Sequence, residues 1–129
     1  MTTTKLTGHA PVLLVQDVRK ALDYWRDKVG FTDQTPYGEP PYFAIIRRDG
    51  LAVMLSQLGA GKTVIPHWQV VEKMWNVYFW VDDAEALYAE FQASGAIIDY
   101  TLYTTPWGIK EFGIQDLEDN DIGFGQIVR

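Results

Sequence analysis

The chain has 129 residues, of which 47% are apolar and 14% aromatic, enough for a packed core and too many for a disordered segment. Eleven basic against seventeen acidic residues leave a net charge of −6, which argues against nucleic acid and anionic membrane as partners and fits cationic ligands or plain solubility. Cysteine is absent, which excludes disulfides, thiolate metal sites and cysteine nucleophiles.

The opening stretch "MTTTKLTGHAP" has no apolar core of signal-peptide length, and no later run approaches a membrane span, so a cytoplasmic protein is the expectation. "APVLLVQD" (10–17) reads as a strand. A helix over 18–30 follows, with Ala21, Leu22, Trp25 and Val29 at helical spacing and Gly30 as its stop. "PYFAIIRRDG" and "LAVMLSQ" read as two strands joined by a tight turn at "RDG". "GAGKT" (59–63) has neither the glycine spacing nor the following helix of a phosphate loop, because Ser56 stands where a glycine is needed and Pro66 follows closely.

The order then recurs. "NVYFWVDD" (76–83) is a strand, "AEALYAEFQASG" a helix with Leu87, Tyr88 and Phe91 inward, and "AIIDYTLY", "IKEFGIQD" and "DIGFGQIV" supply further strands. Asp17 and Asp82–Asp83 stand where helix caps belong. Laying the second half on the first places Val15 on Val81, Asp17 on Asp83 and Trp25 on Phe91. The expected class is α+β, with tandem βαβββ repeats over about 8–57 and 75–129 and a linker over about 58–74. Neither repeat is large enough to bury a sheet alone, so one domain over 1–129 is expected.

The repeat and its wording resemble the vicinal oxygen chelate superfamily of glyoxalase I, extradiol dioxygenases and bleomycin-resistance proteins. "KLTGHAPVLLVQDVRKALDYWRDKVGFT", "LYAEF" and "PWGIKEFGIQDLEDN" are most similar to the bleomycin-resistance members. The resemblance implies curled sheets with open grooves and a homodimer that completes them. It also implies four metal-ligand positions, which fall on Ala10, Met54, Asn76 and Gly123. None is His, Asp or Glu, so no metal and no other cofactor is expected. His9 and His67 read as a strand-end and a loop residue.

The strand 76–83 has Val77, Phe79 and Val81 on one face and Asn76, Tyr78 and Trp80 on the other. With no metal at the centre, Tyr78 and Trp80 line a cavity with Phe43 and Met54, as a ligand surface or as a second core. Trp107, between Pro106 and Gly108, offers a platform for a flat ligand. Glu111 falls on the groove side with Gly113 and Gln115, either paired with Arg47 or Arg48 or offered to a cation. No nucleophile constellation is visible. The reading is a metal-free small-molecule-binding protein that sequesters a bulky, flat or cationic compound, a bleomycin-like antibiotic among the candidates. The alternative is a diverged metal-dependent enzyme of the glyoxalase or dioxygenase kind.

Overall fold

The computed structural model describes residues 3–129. The first repeat runs β1 (Val12–Val15), α1 (Val18–Asp27), β2 (Asp33–Tyr37), β3 (Phe43–Arg48) and β4 (Leu51–Gln57). The second runs β5 (Val77–Trp80), α2 (Ala84–Ser94), β6 (Ile97–Thr104), β7 (Ile109–Gln115) and β8 (Asp121–Ile127). A 3-10 turn at His67–Gln69 lies in the segment between them. No helix among the described residues is long and apolar enough to cross a membrane.

Each repeat makes one four-stranded sheet, and the two sheets share one plan, β1-β4-β3-β2 and β5-β8-β7-β6. The helix crossover makes β1 parallel to β4 and β5 parallel to β8, while the remaining neighbours are antiparallel. The "RDG" turn is present, with Asp49 and Gly50 at φ 52° and 78°, the left-handed pair that a two-residue hairpin demands. β2 is the one strand that sequence pattern does not reveal. It lies at a sheet edge, is mostly exposed and carries Pro36, so neither alternation nor apolar content marks it.

Both helices are capped as their sequences require. The Asp17 carboxylate accepts from Arg19 N and Lys20 N at 3.0 and 3.3 Å, and Asp83 accepts from Ala86 N at 3.0 Å. Such a cap is worth about 1 kcal/mol. Gly95 closes α2 at φ 86°, a conformation that costs little only for glycine.

The helix-facing sides of both sheets and the inner stripes of both helices form one buried cluster, including Leu13, Trp25, Ile46, Leu55, Phe91 and Phe112. A row of rings joins the repeats through it: Trp25 to Phe31 at 5.0 Å, Phe31 to Phe79 at 5.9 Å, and Phe79 stacked on Phe124 at 5.4 Å. Burying each such side chain contributes about 1.5–3 kcal/mol. Polar ties cross the same boundary. Ser94 Oγ donates to Lys28 O at 2.6 Å, and Arg48 forms a two-pronged pair with Glu90 at 2.6 and 2.9 Å. This core leaves the opposite face of each sheet as the place for chemistry.

Candidate functional site

The open face of the second sheet is built on glycine. Register sets Tyr78 beside Gly123 and Trp80 beside Gly125 across β5–β8, and Glu111 beside Gly125 and Gly113 beside Gly123 across β7–β8. A Cβ on Gly125 would strike the Tyr78 hydroxyl, one on Gly123 the Trp75 indole and Tyr78, and one on Gly113 the Tyr100 ring. Lacking side chains, the floor lets large rings lie directly on the backbone. The rings then touch edge to face: Trp75 and Tyr78 at 4.7 Å, Tyr78 and Trp80 at 5.0 Å, Tyr100 and Tyr103 at 6.1 Å. Trp75 Nε1 donates to the Tyr100 hydroxyl at 2.9 Å, which locks the array across the sheet.

Glu111 lies beneath these rings, only 6% exposed. Tyr78 donates its hydroxyl to one carboxylate oxygen at 2.8 Å, and Tyr103 donates to the other at 2.7 Å. An acceptor-only carboxylate suits two phenolic donors. The carboxylate also reacts back on the phenols. Burial first, and then the bond to Glu111, raises the Tyr78 pKa. The Glu111 bond foremost, with burial second, pushes Tyr103 up to about 12. Tyr100 is raised mainly by burial. All three therefore stay neutral phenols near neutral pH, and Tyr78 and Tyr103 stay donors to Glu111.

The arginine pairing, one of the two readings for Glu111, is not what the structure shows. Arg48 belongs to the other sheet and turns to the helix side, where it donates to Glu90 and to Val29 O. Arg47 sits opposite Ala52 and Asp33 on that same first sheet. Phenols, not guanidinium groups, satisfy Glu111, so its charge has no cationic partner in the described bonds. A second acidic point lies on the same sheet. Gln115 donates to Asp121 at 2.9 Å, and the neighbouring Asp99 carboxyl is pushed up to about 6, by burial first and then by Asp121.

Of the residues singled out from sequence, Tyr78, Trp80 and Glu111 come together here. Phe43 and Met54 lie on the first sheet, Phe43 against Tyr37 at 5.8 Å and Met54 between Val12 and Ile45. Trp107 stands at the tip of the β6–β7 hairpin, 68% exposed. Trp75, Tyr100 and Tyr103 escape sequence reasoning. β6 shifts register between Ile98 and Tyr100 and again between Tyr100 and Tyr103, which breaks the parity that would have assigned the tyrosines. The density of aromatics in "DYTLYTTPW" is the one signal that could have found them.

The four positions that the resemblance would give to a metal do not fit one. Ala10 has no donor and Met54 only a thioether. Asn76 Oδ1 already accepts from His67 N at 3.1 Å, and Gly123 lies under Trp75 and Tyr78. His9 is exposed. Among the described residues, no group of three or more His, Cys, Asp or Glu side chains is arranged to hold an ion.

A family model described as the Glyoxalase/Bleomycin resistance protein/Dioxygenase superfamily matches residues 8–124. The chain belongs to this superfamily. Among solved superfamily-like structures it is similar to TioX from Micromonospora sp. ML1, with 23% identity, a TM-score of 0.73, and 95% of this chain and 99% of that one covered. The bleomycin-binding protein of bleomycin-producing Streptomyces verticillus, crystallised with copper(II)-bleomycin, shares 24% identity at a TM-score of 0.69, covering 95% and 97%. TnmS3, an antibiotic binding protein from Streptomyces sp. CB03234, shares 21% at 0.68, covering 96% and 99%. At such identities the likeness carries the fold. No curated protein sequence matches the chain.

Proposed function

We propose that this superfamily member is a metal-free binding protein that sequesters a bulky, flat or cationic small molecule on the aromatic face of its second sheet. The observation that carries this reading is Glu111, a buried carboxylate held by two neutral phenols beneath an array of rings. A cation placed over that array gains both the carboxylate and the ring faces. No internal cation has to be displaced, because the partners of Glu111 are neutral phenols. Stacking on Tyr78 and Trp80 supplies the flat contact, with Trp107 as an outer platform. Structural neighbours named for bleomycin and antibiotic binding support a ligand of this class, a bleomycin-like compound among them.

The same reading takes residues 1–129 as one domain acting as a cytoplasmic homodimer. The first sheet leaves Val12, Leu14 and Tyr37 at 56, 46 and 44% exposure on its open face. Those side chains need cover. In the dimer, the first sheet of one protomer, carrying Phe43 and Met54, lies over the second sheet of its partner and completes each groove. The donor-poor metal positions favour binding over a metal-dependent glyoxalase- or dioxygenase-type reaction.

The test is metal analysis of the purified protein, with calorimetric titration of bleomycin before and after chelator treatment. Binding that is unchanged by the chelator, in protein without stoichiometric metal, is expected. Stoichiometric zinc, iron, nickel or manganese would instead make the chain a diverged metal-dependent enzyme.

A further inference from the structure

A cleft of about 440 Å³, bordered on one side by Trp80, opens on the helix side of the molecule where α2 meets the β3–β4 hairpin. Phe31, Phe79, Phe91 and Phe124 lie at its base, with Leu87 on the helix wall and Leu51 on the hairpin wall. Asp49, Asp82, Asp83 and Glu90 stand round it against the single guanidinium of Arg48. Arg48 is itself engaged by Glu90 at 2.6 Å and by Asp49 at 3.6 Å. The lining is therefore apolar below and net negative above.

The internal repeat bridges this space differently in its two halves. Superposing the repeats by sequence places Tyr24 of α1 where Glu90 stands on α2, and Ala21 where Leu87 stands. Tyr24 is buried, donates to Gln115 O at 2.5 Å and accepts from Ile97 N at 3.0 Å, so its ring ties α1 to the second sheet. The β7–β8 turn is tied down as well, with Glu118 accepting from Gln16 N at 2.8 Å. In the other half a tight "RDG" turn replaces that longer turn, and Glu90, which replaces the tyrosine, spans to Arg48 of the first sheet by an ion pair rather than by a packed ring. A buried ring bridges helix and opposite sheet in one repeat, and an ion pair beside the cleft does so in its counterpart.

We propose that this cleft is a second ligand site, distinct from the Glu111 pocket although Trp80 borders both, that takes a small arylalkyl ammonium compound. The ring enters between Leu51, Leu87 and Phe79, and the cation meets the carboxylates of Asp49, Asp82 and Asp83. Apolar depth selects for the ring and charge selects the sign of the head group.

The probes are naphthylmethylammonium and, as its opposite in charge, naphthylacetate, titrated into the intact protein and followed by methyl and amide NMR. Saturable shifts at Leu51, Ala86 and Leu87 with the ammonium are expected, with the carboxylate at least roughly ten-fold weaker. Ala86→Trp, which lays an indole into the cleft from an exposed helix position, should abolish those shifts. Leu51→Trp does the same from the hairpin should the helix variant fail to fold. Asp82→Asn should weaken the ammonium roughly three-fold or more. Equal binding of the two probes, shifts confined to Tyr100, Tyr103 and Glu111, persistence of binding in both tryptophan variants, or no saturable shift would each overturn the proposal. Shifts confined to the Glu111 face would leave the capture reading intact while removing this site.

Discussion

Glu111 shows what a single residue contributes to this fold. A carboxylate at 6% exposure costs free energy unless its oxygens are bonded, and here each oxygen accepts a phenolic proton. Tyr78→Phe keeps the ring and removes one donor. The uncovered oxygen should cost about 1–3 kcal/mol in urea unfolding, against almost nothing for Trp107→Phe at its exposed hairpin tip. Asp99 has the opposite economy. Its folded-state pKa lies near 6, above the ordinary 3.8, so its protonated form is the one that folding favours. Its stabilising contribution is complete below about pH 4 and lost as pH rises through about 6. Asp99→Asn should therefore raise the melting temperature near pH 7. The gain should shrink from pH 6 downward and vanish below about pH 4. A gain independent of pH would show that the raised Asp99 pKa, from burial and from Asp121, is not its source.

At the scale of elements, β7 and β8 act as a flat floor because Gly113, Gly123 and Gly125 fall together on one face. Gly125→Ala pushes against the Tyr78 hydroxyl, which is also the donor to Glu111. We expect a loss of about 1–3 kcal/mol and a disturbed Tyr78 ring, read by unfolding curves and by the aromatic NMR signals. Legibility followed the same elements. Both helices, the "RDG" turn and the tandem order could be read because caps, helical spacing and turn chemistry are local signals. β2 could not, since an exposed edge strand with Pro36 has no buried face to pattern. Tyr78, Trp80 and Glu111 share a face by simple alternation and were legible as such. Tyr103 as the partner of Glu111 was not, because that pairing depends on the two register shifts in β6. The arginine alternative for Glu111 failed for a related reason. Sequence shows that Arg47 and Arg48 end a strand, but not that this strand belongs to a different sheet.

For the whole molecule, two sheets of one plan carry different surfaces. The second bears rings and carboxylates, and the first bears Val12, Leu14, Ile45 and Met54. Apolar and polar open faces of this kind suit the homodimer proposed above, in which each covers the other. Light scattering at micromolar concentration should give the mass of two chains, and Leu14→Asp should shift it toward one. A single-chain mass for the unaltered protein would contradict that arrangement. The most direct test of the capture reading is a thermal-shift screen of flat cationic compounds, bleomycin included, run on chelator-treated wild type and on Glu111→Gln side by side. The account predicts that at least one such compound raises the wild-type melting temperature by several degrees while its shift in the variant is largely lost. Equal shifts in the two proteins, or no cationic compound that shifts the wild type, would contradict it.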